Sequence, residues 1–249
     1  MTGCPICKSW RLKAYGLGIE KIEEDIKVFI KKHNIKTYVQ RIDSTLKLTP
    51  ARIRSFVATH YEKESSIIIG TELLLPHMEH ATLLGKRNTS SYIGSLDTLL
   101  SLPDFSINEK IGRITSELGS ITEKKVVIQT RNAEHPLLVA WKNGELGNFL
   151  EKENVERKDF NYPPHGVLIK VTVKGKKEKI AAEIKAFENA AVQWKPMVFP
   201  AFIKAIKNQH ILHALIALPK DEWPNPELRA LLLSLPLSVT VEINPRSLL

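Results

Sequence analysis

Apolar residues recur at helical spacing between Ile19 and Lys32, at Ile19, Ile22, Ile26, Phe29 and Ile30, which predicts an amphipathic helix. Its acids (Glu23, Glu24, Asp25) come before its late bases (Lys27, Lys31, Lys32), the order a helix dipole favours. "TYVQRID" then predicts a short strand. "TPARIRSFVATHYEKE" predicts a second helix, with Thr49 as N-cap and Pro50 in the first turn. The β-branched run "SSIIIGTE" predicts a buried strand closed by Gly70. "ATLLGKR" reads as another strand, "NEKIGRITSELGS" as a helix and "KKVVIQT" as a further strand. Strands alternating with helices imply an α/β unit, a mostly parallel sheet with helices on both faces. Functional residues in such sheets gather at the carboxyl ends of strands. Gly70 and Thr71 stand at one such end; the plainer reading is that Gly70 only terminates its strand.

The stretch from 137 to about 158 has a helical pattern, with Gly144 or Gly147 as a break. "FNYPPHG" then punctuates the chain, because paired prolines stop a helix. A domain boundary is expected between about 145 and 162. Beyond it, "VLIKVTV" predicts a strand and "KKEKIAAEIKAFENAAVQW" a helix. "PMVFPAFIKAI" and "HILHALIAL" predict a hairpin. "NPELRALLLSL" predicts a helix capped by Asn225, with Pro226 in its first turn, and "LSVTVEI" a last strand. The order β-α-β-β-α-β is that of a small α+β, ferredoxin-like domain: a four-stranded antiparallel sheet with both helices on one face.

Composition adds a class and a partner. The chain has 249 residues, 43% apolar and 25% charged, so it can bury a core and is not a disordered tract. No apolar run reaches the roughly 20 residues a bilayer span needs, and no secretory h-region opens the chain. The membrane is therefore not an expected partner. The only two cysteines, Cys4 and Cys7, do not make a disulfide framework, and a cytoplasmic location is expected. The formal net charge of +9 favours a polyanionic partner, nucleic acid above all. The excess is spread over both halves.

The candidate chemistry is sparse. Cys4 and Cys7 form half of a four-thiolate zinc site, and no nearby Cys or His completes it, so no zinc is expected within one chain. His77 and His80, with Glu79 between them, have ligand-like spacing but no further ligands; a polar surface loop near a strand end is the plainer reading. His210 and His213 read as strand residues. No nucleophile elbow surrounds the serine pairs, so no hydrolase triad can be argued. A basic set at Lys170, Lys174, Lys176, Lys177 and Lys179, with Lys204, Lys207 and His210 on the hairpin, could neutralise phosphates without sequence preference; a solvated lysine face is the alternative. Trp10, Trp141, Trp194 and Trp223 are dispersed, and no base-stacking platform is expected.

"CPICK", "YGLGIEKIEEDI", "RIDS", "IIIGTE", "LLSLPDF", "VVIQTRNAEHPLL" and "YPPHGVLIKV" fall in an order and spacing that resemble the C-terminal half of the bacterial replication-restart helicase family PriA. The family pattern runs C-P-x-C-G, Y-G-x-G-T-E, R-I-D-x-D, I-L-I-G-T-Q-M, L-P-D-F-R, I-Q-T and Y-P-P. The resemblance implies four segments. Residues 1–9 are the remnant of a zinc knuckle, and 10–145 a RecA-like helicase C-terminal lobe. Residues 146–161 are a helical linker, and 162–249 the family's small C-terminal domain. It implies a phosphate-holding turn at Gly70 and Thr71, and vestigial nucleotide contacts at Gly18 and Glu20. It also implies that the chain begins inside the zinc insertion, without the family's first helicase lobe.

The departures change the expected activity. No GxxxxGK[ST] loop occurs in the chain. Ile19 replaces the threonine of Y-G-x-G-T-E, Glu72 the glutamine of G-T-Q-M and Ser106 the arginine after P-D-F. The stretch aligned with the family's arginine-finger motif reads "SELGSITEKK" and has neither arginine. The resemblance is to an ATP-dependent 3'–5' DNA helicase, yet ATPase activity of the chain alone is not expected, because phosphoryl transfer depends on those cations. The expectation is a module that binds forked or single-stranded DNA, or scaffolds replication proteins, in replication restart. The alternatives are the second lobe of a split helicase, joined in trans by a separate chain with the first lobe, and a protein-interaction module without DNA binding. No cofactor is expected on the chain alone; ATP with magnesium, or zinc, would need completion by another chain.

Overall fold

The computed structural model describes residues 18–102, 104–201 and 209–248. They form two compact units, one from residues 18–102 and 107–144, the other from 104–106 and 145–248.

The first unit opens with α1 (Ile19–Lys32), followed by β1 (Tyr38–Ile42), α2 (Pro50–Glu62), β2 (Ser66–Gly70), α3 (Leu75–Leu83) and β3 (Asn88–Ile93). The short α4 (Asp97–Leu100), α5 (Ile107–Ser120), β4 (Thr122–Ile128) and α6 (Pro136–Asn143) complete it. Helix α2 starts where the sequence places it: the Thr49 hydroxyl accepts from the Arg52 amide at 3.3 Å, and Pro50 is its first residue. Gly144, at φ +75°, closes α6 in a conformation costly for other residues. Its core gathers Ile42 of β1, Val57 of α2, Leu75, Met78 and Ala81 of α3, and Ile114 of α5.

Two expectations fail here. "ATLLGKR" is not a strand. Residues Ala81–Leu83 are the last turn of α3, and Gly85, at φ +77°, ends it with its amide on the Thr82 carbonyl. Buried Leu75, Met78 and Ala81 recur every third residue, so the apolar run there is the core face of a helix. Nor do the strands join into one sheet among the described residues. β1 pairs with β2 and β3 with β4, each in parallel. β3 reads Asn-Thr-Ser-Ser-Tyr-Ile, too polar for the doubly covered interior of a parallel sheet.

The second unit runs α7 (Leu146–Asp159), β5 (Gly166–Gly175), α8 (Lys177–Ala190), β6 (Met197–Pro200), β7 (His210–Pro219), α9 (Pro226–Leu233) and β8 (Val239–Ile243). The four strands form one antiparallel sheet in the order β6-β7-β5-β8. Alternate residues of β5 (Val167, Ile169, Val171, Val173) and of β7 (Ala214, Ile216, Leu218) share a core with Ile180, Ile184 and Phe187 of α8 and Leu228 of α9. Both helices therefore cover the same sheet face. Asn225 caps α9, accepting from the Leu228 amide at 2.9 Å.

Candidate nucleic-acid interface

In a parallel pair the carboxyl ends of both strands lie side by side, and Ile42 is the register partner of Gly70. The chain leaves each strand through a 3-10 turn, Ser44–Leu46 after β1 and Glu72–Leu74 after β2, with Thr71 as the residue preceding the second. Gly70 and Thr71 are exposed. A Cβ on Gly70 would lie 2.7 Å from Leu74 Cδ2 and 3.3 Å from the Ile42 carbonyl, so the turn needs glycine for close packing whatever else it does.

Beside this turn sits a charged cluster that the sequence reading did not single out. Asp43, 5% exposed, accepts from the Thr45 amide at 2.7 Å and from the Thr45 hydroxyl. Its other oxygen pairs with Arg41 Nε at 2.8 Å, and Arg41 Nη1 reaches Glu23 of α1 at 3.1 Å. The Thr45 hydroxyl, helped by its amide and by Arg41, outweighs burial and holds the Asp43 carboxyl below the usual range. The second parallel pair also has an acid after its first strand, but that acid reaches across to the chain after the second. Asp97, following β3, accepts from Thr130 Oγ1 at 2.6 Å and from the Arg131 amide at 3.1 Å, both following β4. The Thr130 hydroxyl and the Arg131 amide lower its pKa against burial. Asp43 is committed to the turn that leaves its own strand, and Asp97 to joining the ends of β3 and β4. Gly18 and Glu20 open α1, Gly18 as the residue before its first turn and Glu20 exposed within it.

In the second unit the basic set divides. Lys174, Lys176 and Lys177 are exposed where β5 runs into α8, next to exposed His210, the partner of Gly175 across the sheet. Three cations before and within the first turn of α8 oppose its dipole, which costs stability and strengthens the local positive field. Lys179 pairs with Glu183 at 3.6 Å. Lys170, expected in this set, leaves it. It is 6% exposed, donates to the Ser247 carbonyl at 2.7 Å and pairs with Glu242 at 3.2 Å, so it is an internal tie. Its neighbour His213 is 5% exposed and shares a hydrogen bond with Thr172 Oγ1 at 2.9 Å. Burial, then the charge of Lys170, pushes the His213 pKa down, which favours the neutral ring. Lys204, Lys207, Cys4 and Cys7 lie outside the described residues.

His77 and His80 belong to α3 rather than to a loop, because the helix begins at Leu75. Burial, followed by Arg54 and His80, lowers the His77 pKa. Among the described residues no group of three His, Cys, Asp or Glu is placed to hold a metal ion. Among the same residues no helix is long and apolar enough to cross a membrane.

The described rings that do come together are not tryptophans. Phe105 and Tyr162 lie 5.2 Å apart at 31°, and Tyr162 and Phe160 5.9 Å apart at 28°. The Arg157 guanidinium sits 5.4 Å from the Phe105 ring centre. Asp104 holds the segment before Phe105: it accepts from Ser106 N at 3.0 Å, Ser106 Oγ at 2.8 Å, Ser247 Oγ at 2.5 Å and Leu248 N at 3.0 Å. Burial alone would raise its pKa; the bonds from Ser247, Ser106 and Leu248 prevail and lower it.

Comparison with known proteins bears out the resemblance read from the motifs. No protein-family model matches the chain. The replication restart protein PriA of Borreliella burgdorferi is 30% identical over 188 residues, 72% of this chain and 26% of that protein. PriA of Synechocystis is 27% identical over 183 residues (71% and 21%), and PriA of Bacillus subtilis 25% over 198 (74% and 23%). The chain is thus similar to a segment of PriA, and the matches span about a quarter of the length of these curated relatives.

Proposed function

We propose that the chain is a PriA-like nucleic-acid-binding module of replication restart that does not hydrolyse ATP by itself. The observation that carries this reading is the shared segment with PriA from several bacteria at 25–30% identity. On this reading the first unit is a RecA-like helicase lobe. The parallel strand pairs, with polar residues clustered at their carboxyl ends, support it. The second unit is a ferredoxin-like domain, supported by the β6-β7-β5-β8 order with both helices on one face. Residues 146–161 are the linker, which α7 makes helical.

Nucleic acid meets two surfaces. At Gly70 and Thr71 the exposed turn presents its backbone groups to phosphates. At Lys174, Lys176 and Lys177 the ammonium groups neutralise phosphates and release counterions, which gives salt-sensitive binding without sequence preference. The ATP reading rests on the sequence: neither a phosphate-gripping lysine loop nor an arginine finger occurs in the chain. Replication proteins are the further proposed partners. Fluorescence anisotropy with forked and single-stranded DNA tests the reading. Micromolar binding to either at low salt is expected; absence of binding to both would defeat it.

A further inference from the structure

Tyr162 neighbours both Phe105 and Phe160; the Arg157 guanidinium sits 5.4 Å from the Phe105 ring centre, and Phe160 is 69% exposed. The backbone builds this arrangement without strain in the helix. Phe160 ends α7, its amide bonded to the Glu156 and Lys158 carbonyls. Asn161 then takes a left-handed conformation, φ 51°, which turns the chain so that Tyr162 returns beside Phe160. The Tyr162 amide bonds back to the Arg157 carbonyl at 2.8 Å, and the four bonds to Asp104 fix the segment that supplies Phe105. An exposed phenylalanine is ordinary on a protein surface. One held beside a second ring by a backbone turn and its hydrogen bonds is a preorganised flat face.

We infer that Phe160 is a stacking platform for a nucleobase of single-stranded nucleic acid. This rests on the reading of the chain as a nucleic-acid-binding module. A base is the occupant that the geometry favours, because each neighbouring pair of rings is inclined by only 28–31° and the exposed Phe160 ring offers a planar base a further partner. The net charge of +9 brings the polyanion to the chain. Locally the charges nearly cancel: Lys158 shares the last turn of α7 with Glu156 and Asp159. Stacking rather than phosphate contact therefore supplies the affinity at this place, and every base, having a π face, is accepted.

The test is binding of the full chain and its Phe160→Ala variant to oligo-dT, to an abasic oligomer of equal length and to duplex DNA. Phe160→Ala weakens oligo-dT binding about tenfold, the scale of one stacked base. It leaves the abasic and duplex affinities unchanged, and it leaves the salt dependence of oligo-dT binding unchanged, since no phosphate contact is removed. Phe160→Tyr restores the loss. Thermal unfolding checks that the exposed site does not disturb folding. If the wild-type chain binds oligo-dT and Phe160→Ala binds it equally well, the inference falls while the reading of the module stands. If the wild-type chain binds no nucleic acid, both fall.

Discussion

In the second unit β5 and β7 pair over ten residues, and eight consecutive positions of β5 are buried. In the first unit β4 pairs with β3 alone among the described residues, and one of its seven positions is buried. Both strands are β-branched and apolar in their readable stretches, so composition does not separate them. What separates them is cover. The sheet of the second unit has α8 and α9 on one face, and polar residues of the other face, such as Lys170, are tied to the chain that follows β8. In the first unit the cross-strand pair Tyr92 and Val127 stays 65% and 40% exposed. The first unit places polar groups at strand ends, at Asp43 beside the candidate turn and at Asp97 after β3. The second places its candidate cations at the margin of a sealed core.

That contrast can be broken most forcefully in the sealed core. Ile216 is 0% exposed, and Ile216→Ala should cost about 2–5 kcal/mol of stability in urea unfolding of the full chain. Hydrogen exchange should show the loss in β5 and β7, with β3 and β4 little changed; equal loss in all four strands would mean that the units unfold as one.

Asp104→Asn removes a carboxylate that collects four hydrogen bonds within the second unit, and should cost about 1.5–3 kcal/mol. The pH dependence follows from its lowered pKa. A carboxyl held below its unfolded value contributes stability above that value, near 4, and loses it as pH falls through the folded one. Asp43 and Asp97 have the same sign in the first unit, so acid should loosen both units. The variant should remove the second unit's share of the acid slope below about pH 4; an unchanged slope there would mean that the Asp104 bonds do not persist in solution.

Gly70→Ala sharpens the comparison from the other side. The added methyl meets Leu74, itself 8% exposed, and should cost about 1–3 kcal/mol by overpacking. Exchange should rise in β2 and α3 and stay unchanged in β5. The smallest effect has two signs. Lys176→Ala and Lys177→Ala should each stabilise α8 by about 0.3–1 kcal/mol at low salt, because they remove cations from a helix N-terminus. The same changes should weaken DNA binding. Loss of both stability and binding would mean that these lysines pack rather than face a partner.

What could be read from the sequence follows the range of the interactions. Helices α1, α2 and α5 were legible because periodicity and caps act within a few residues, as at Thr49 and Arg52. "ATLLGKR" was not, since a short apolar run suits a strand or a helix core face equally. Lys170 was legible as a cation, but its burial depends on Ser247, 77 residues on. The strand-end position of Gly70 and Thr71 was legible because a β-branched run closed by glycine marks it locally. Asp43 lies in "RIDS" within two residues of its partners Arg41 and Thr45, but nothing local marks the further link from Arg41 to Glu23. The Phe105–Tyr162–Phe160 ladder draws on segments more than fifty residues apart, and nothing local announces it.

The most direct measurement of the central claim is the salt dependence of binding to forked and single-stranded DNA, compared between the wild-type chain and a Lys174→Ala, Lys176→Ala, Lys177→Ala variant. If the module grips phosphates there, affinity falls steeply with salt. The log–log slope of the variant is then shallower by roughly 2–3, close to one per lysine removed. Wild-type binding that is absent, or as steep in the variant as in the wild type, would contradict the account.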